Sequence, residues 1–197
     1  PMRLRRTVLA AIAAFWVSLS PAGAADTEFL KGYVHARNGD PEGAIAVWAP
    51  LAERGHLRAQ YALGALYSEG EGVQIDMEQA FRWWHMAARA GDRRAQFNIA
   101  GMYREGLGVE ADVEQAVTWM RRAAEAGNVD AQFGMVDFYA EGYGVPQDET
   151  EAMFWLEVAL LSGGQALSPA SSRLSRTLRH DQFDRVRTRA RDWLESR

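Results

Sequence analysis

The chain contains no cysteine. Disulfide bridges, a disulfide-linked partner, thiolate metal sites, thiol catalysis and lipidation at a cysteine are all excluded by that absence. Lysine is almost missing too: Lys31 stands alone, and every other basic residue is arginine. The four histidines (His35, His56, His85 and His180) are scattered and no HExxH occurs, so paired histidine ligands for a metal are lacking. No Gly-Lys-Ser/Thr follows any glycine-rich stretch, and Glu28 occupies the place where a Ser-x-x-Lys motif ending at Lys31 needs its serine. Neither a cofactor nor a metal is expected, and the chain reads as no enzyme. The N-terminal apolar run, residues 7–19, is 13 residues long, short of the ~17–25 that span a bilayer.

That run has a different reading. Residues 2–25 are "MRLRRTVLAAIAAFWVSLSPAGAA": Arg3, Arg5 and Arg6 first, then the apolar run, then small residues at Ala22 and Ala24. This order of charge, apolar core and A-x-A is that of a cleavable export signal, so residues 1–24 are expected to be a leader and the protein periplasmic. Without the leader the chain carries a net charge of −7, divided between −11 over residues 25–162 and +4 over residues 163–197. An acidic body of this kind argues against binding nucleic acid through its phosphates.

The remaining sequence repeats itself. Gly55, Gly91, Gly127 and Gly163 are spaced 36 apart, and the segments 55–90, 91–126 and 127–162 share Ala59/Ala95/Ala131, Gln60/Gln96/Gln132, Tyr67/Tyr103/Tyr139, Asp76/Asp112/Asp148 and Trp83/Trp119/Trp155. A fixed period over three copies signals a solenoid of stacked units. Within a unit, Ala59, Leu63, Leu66 and Tyr67 form one helical stripe that ends at Gly70. A second helix starts at Asp76, with Gln79 three residues on in capping-box order, and buries Ala80, Trp83, Trp84 and Ala87. The phrases "EGEGV", "EGLGV" and "EGYGV" lie between the two helices, where acidic neighbours repel phosphate; they read as elbows.

The stretch "AQYALGALYSEGEGVQIDMEQAFRWWHMAARAG" resembles the Sel1-like repeat, a longer-looped relative of the tetratricopeptide repeat. The resemblance implies an all-α, right-handed α-solenoid of antiparallel helix pairs. It places three repeats over residues 55–162, a degenerate pair over 25–54 whose loop is two residues shorter, and a C-terminal capping helix pair over 163–197. In the last segment Leu174 and Leu178 mark one helix, and Phe183, Val186, Ala190, Trp193 and Leu194 another. Arg185, Arg187, Arg189 and Arg191 lie off that second stripe, either as a solvated cap face or as a dock for an acidic partner.

Such proteins commonly act as adaptors, some in envelope signalling or exopolysaccharide regulation, so the resemblance implies a scaffold that binds a protein or peptide on its concave face. A membrane-associated complex is one setting for that partner. First-helix positions opposite the core stripe are the candidates: Arg58, Tyr61, Arg94, Phe97, Arg104, Asp130, Phe133 and Asp137. The aromatic recurs at Tyr61, Phe97 and Phe133, either as a shared platform or as packing against the preceding repeat. A peptidoglycan or polysaccharide binder, stacking sugars on those rings, is the alternative, and a cell-wall or β-lactam hydrolase a more distant one.

Overall fold

Thirteen residues is the length of nearly every helix here, because each runs from a side-chain cap to a glycine or a tight turn at fixed spacing. The structure, a computed structural model, describes residues 24–164, Leu174 and residues 180–197. The leader expected over residues 1–24, all but its last residue, lies outside the described residues, as does most of the helix expected around Leu174 and Leu178. Nine helices and no strand occur among the described residues. They are α1 (Ala24–Arg37), α2 (Pro41–Glu53), α3 (Leu57–Glu69), α4 (Met77–Arg89), α5 (Arg93–Glu105), α6 (Val113–Glu125), α7 (Val129–Glu141), α8 (Glu149–Leu161) and α9 (His180–Glu195). The fold is an all-α solenoid of helix pairs. It divides into two units, residues 1–90 and 91–197, and within each the consecutive helices pack side by side.

The caps explain the boundaries. Asp40, Asp76, Asp112 and Asp148 each precede a second helix and accept a main-chain N–H two or three residues on. First helices are capped at positions 36 apart by His56, Asp92 and Asn128, whose side chains accept from Ala59, Ala95 and Ala131. The capping box expected at Asp76 is only half made. Its own N–H donates to the carbonyl of Tyr67 at 2.9 Å, and Asp112 and Asp148 do the same to Tyr103 and Tyr139 at 2.9 Å each. The glycine elbow folds the chain back so that the main chain itself supplies the partner a glutamine side chain supplies elsewhere.

Both elbow glycines have positive φ: 65° and 79° at Gly70 and Gly72, 70° and 65° at Gly142 and Gly144. The second has a further reason to lack a side chain. In the first unit a Cβ on Gly72 would sit 2.8 Å from Pro41 Cγ, and in the second one on Gly144 would overlap Val113 and lie 2.8 Å from Val117 Cγ2. The elbow therefore rests directly on the start of the preceding pair's second helix.

In the first unit the core gathers Phe29, Ala44, Trp48, Leu51, Ala52, Ala59, Leu63 and Trp83. The expected two-residue shortening of its first loop is corrected to four. Trp84 Nε1 donates to the carbonyl of Tyr61, 23 residues back, whereas Trp48 Nε1 donates to Phe29, 19 residues back. Gly32 lies under Trp48 just as Gly64 lies under Trp84. The loop is four residues shorter, and the indole bond and the glycine beneath it keep their places.

Seams between pairs use the recurring glutamine. Gln60 Nε2 donates to the carbonyl of Ala52 at 2.8 Å, and Gln132 Nε2 to that of Ala124 at 3.2 Å. Each bond adds a second donor to a carbonyl in the last turn of the preceding helix, which also accepts the N–H of Gly55 or Gly127 at 3.0 Å.

Candidate binding face

First-helix side chains opposite the core stripe reach solvent, and the two units use them differently. In the first unit Arg58 is committed internally: its Nη1 lies 2.9 Å from Asp26 Oδ1, and both side chains are mostly buried. His56 joins them. Its Nδ1 accepts from Ala59 N at 3.2 Å, so its Nε2 carries the hydrogen directed at Asp26 Oδ1, 3.2 Å away, and its ring stacks on Phe29. Tyr61 is half-buried with its ring 6.3 Å from that of Trp84. Ala65, at the centre of this helix face, is buried.

The second unit is more open. Arg94 pairs with its own cap, Nη2 to Asp92 Oδ2 at 2.8 Å, and Arg104 pairs with neighbouring Glu105 at 2.6 Å while staying exposed. Phe97 and Phe133 are half-buried, and Phe133 lies beneath Gly164 in the turn that ends its own repeat. Asp130 is exposed and Asp137 half-buried, and neither has an ion-pair partner among the described residues. The cations favoured from sequence thus hold internal partners, while the two carboxylates have no ion pair among the described residues.

One residue on this face escaped emphasis in the sequence. Gly101 sits in the middle of α5 at the position of Ala65 and Asp137. A Cβ built there meets nothing within 4 Å. The available signal was a glycine at mid-helix, where it costs roughly 0.5–1 kcal/mol relative to alanine, beside no turn.

The arginines of α9 cover α8. Arg189 lies 2.5 Å from Glu151 and 4.1 Å from the centre of the Phe154 ring, and Arg187 Nε stands 3.8 Å from Glu157 Oε2. Trp193 packs edge-on against Phe154 and Trp155. Burial pushes the Glu157 carboxyl above the ordinary range, and Arg187 and Arg191 pull part of the way back. These contacts lay α9 against α8. Among the described residues no group of three metal-ligating side chains occurs, and no helix is long and apolar enough to cross a membrane.

Comparison with known proteins follows the same lines. The sequence profile of the Sel1 repeat matches residues 57–92, 93–128 and 129–163, more than half of the chain. Among solved structures, a Sel1 repeat protein from Oxalobacter formigenes is 29% identical with a TM-score of 0.65, covering 87% of this chain and 69% of its own. The protein c5321, a protective antigen of uropathogenic Escherichia coli strains that displays an SLR fold, is 24% identical with a TM-score of 0.55. That match covers 96% of this chain, which spans about half (48%) of the antigen's length. No curated protein matches the chain.

Proposed function

Because the chain belongs to the Sel1 repeat family, whose members are in general non-catalytic scaffolds for protein interaction, we propose that it is a periplasmic adaptor that binds a protein or peptide on its first-helix face. One observation carries this reading. The caps, the elbow glycines and the interior alanines, glutamine and first tryptophan recur from repeat to repeat, whereas the outward positions differ, and among the described residues Asp130 and Asp137 have no ion-pair partner. A scaffold needs a constant frame and variable contacts of this kind. Half-burial of Tyr61, Phe97 and Phe133 leaves little ring area for stacking on sugars, which favours a polypeptide over a polysaccharide.

Export rests on the leader-like order of residues 2–25. Cleavage after Ala24 leaves Asp26 in the chain, so its pairing with His56 and Arg58 survives processing. Periplasmic fractionation followed by N-terminal sequencing tests this: a first residue of Ala25 supports it, and full-length protein in the cytoplasm refutes it.

The binding assignment is tested by cross-linking and capture from the periplasm with wild type and with Asp130→Lys/Asp137→Lys. Arg58, Arg94 and Arg104 are poor targets, since reversing them breaks internal pairs. The lysine pair should keep the helical spectrum and lose the partner. Retention of the same partner at the same yield overturns the first-helix face.

A further inference from the structure

The chain has three asparagines, Asn38, Asn98 and Asn128, and their settings differ sharply. Asn128 is buried and held at both ends of its amide: Oδ1 accepts from Ala131 N at 2.8 Å, and Nδ2 donates to the carbonyl of Arg93 at 3.3 Å. Asn98 lies inside α5. The residues that follow these two are Val129 and Ile99, both β-branched. Asn38 is exposed in the turn between α1 and α2, its amide makes no hydrogen bond among the described residues, and Gly39 follows it.

Those differences decide how an asparagine amide reacts. The main-chain nitrogen of the following residue can attack the side-chain carbonyl carbon, and a β-branched neighbour crowds the ring that forms. Glycine brings no Cβ to that ring. A Cβ built on Gly39 meets nothing within 4 Å, so the space around the attacking nitrogen is open. Gly39 N donates to the carbonyl of Ala36 at 3.1 Å, a bond at the end of α1, where local opening costs least.

We propose that Asn38 is a self-modifying site, converted to aspartate and isoaspartate in the folded protein with water as the co-reactant. Gly39 N bonds to Asn38 Cγ as the Cγ–Nδ2 bond breaks, and the proton from Gly39 N leaves with the amide group as ammonia. The product is a cyclic imide. Water then cleaves one of its two carbon–nitrogen bonds. Cleavage at Cγ restores the main chain with an aspartate, and cleavage at the main-chain carbonyl leaves Gly39 joined through the side chain, an isoaspartate.

Either product places a new carboxylate at the C-terminal end of α1, where the helix dipole disfavours it. The new charge also stands two residues from Asp40, which caps α2 through Gly43 N at 2.9 Å and lies 2.7 Å from His35 Nδ1. Isoaspartate further inserts a carbon into a link, residues 38–40, that main-chain bonds close tightly. Asn38 N and Asp40 N each donate to the carbonyl of His35 at 3.0 Å, beside the Gly39 bond. A longer chain cannot keep all three. The helix that loosens is the one that stacks Phe29 on Trp48 and offers Asp26 to Arg58, so the reaction acts as a slow clock on the attachment of α1.

The test ages the full chain in mildly alkaline buffer, folded and in urea, beside Asn38→Gln, whose longer side chain has to close a larger ring. Anion exchange follows the acidic species, and tryptic mass mapping locates it, since residues 38–54 form one peptide with no other asparagine. Folded wild type is expected to convert in that peptide, to both aspartyl and isoaspartyl forms, within about tenfold of the rate in urea. Asn98 and Asn128 should stay intact, and Asn38→Gln should gain no acid. Aged wild type should then melt lower than Asn38→Gln aged beside it. Conversion that is absent from the folded chain, slower than that margin, or equal at all three asparagines overturns the site. Equal melting temperatures of the aged proteins overturn its effect on α1.

Discussion

Replacing Gly64 by alanine ought to stabilise an ordinary helix and ought to damage this one. Gly64 lies within α3, and its Cα faces the indole of Trp84 on α4. A Cβ there would stand 2.5 Å from Trp84 Nε1 and 2.7 Å from Cγ. Non-bonded carbon needs ~3.5–4 Å, so the ring must retreat by about 1 Å. It is not free to do so, being held by its N–H on the carbonyl of Tyr61 at 3.2 Å and by the Tyr61 ring. Alanine gains ~0.5–1 kcal/mol of helix propensity. Against this stand an overpacking cost of ~1–3 kcal/mol and the weakening of a hydrogen bond with a net worth of ~0.5–1.5 kcal/mol. The sum is a loss of about 2 kcal/mol, which for a chain of this size lowers the melting temperature by roughly 4–8 °C.

The other repeats show how to compensate. Positions equivalent to Gly64 and Trp84 are Ala100 with Met120, then Val136 with Leu156: where the glycine gains a side chain, the indole gives way to a smaller residue. Gly64→Ala combined with Trp84→Met copies the second repeat's solution, and the double variant should be more stable than the two single losses add up to, by ~1 kcal/mol or more. Thermal unfolding followed by far-ultraviolet circular dichroism measures all four proteins. A rise in melting temperature for Gly64→Ala, or additive losses in the double variant, refutes the packing argument.

Three other perturbations test separate parts of the fold. Gly144→Ala should cost more than Gly142→Ala by about 1 kcal/mol or more in urea unfolding, since both have positive φ but only Gly144 presses on Val113 and Val117. His56→Ala should lose the α3 cap, ~1 kcal/mol, whereas His56→Asn, which copies Asn128 at the equivalent place, should recover most of it. Glu157 has a carboxyl raised by burial, so its contribution is fullest below pH 4.5 and declines as pH rises through the higher folded value. Glu157→Gln should accordingly gain melting temperature relative to wild type between pH 4 and pH 7, and a relative loss over that range contradicts the assignment.

Much of this architecture is legible in the sequence because the repeat enforces it. An unbroken period of 36 residues aligns caps, elbows and core at once, so a weak signal at one position is read three times. The first pair was harder. With a single glycine in its loop, Gly39, it offers no elbow to align on, and the helix bounds and the indole bonds of Trp48 and Trp84 reveal that four residues are missing. Charge pairing was also out of reach. Arg58 finds Asp26 on a different helix pair, 32 residues back, which no local rule connects. Arg94 pairs two residues back with Asp92, a residue whose capping role was visible only once the helix start was fixed. Gly101 was visible as a letter, and the space around it was not.

The glutamine seams have an evolutionary reading. Gln60 and Gln132 grip main-chain carbonyls, Ala52 and Ala124, and a carbonyl is offered by whatever residue ends the preceding helix. Joining one repeat to the next therefore demands no matched pair of side chains. A copied segment can be spliced in beside its parent and find its bond already waiting. Array length is then free to drift by whole units while the seam stays unchanged, and proteins with one frame and very different numbers of repeats become the natural outcome.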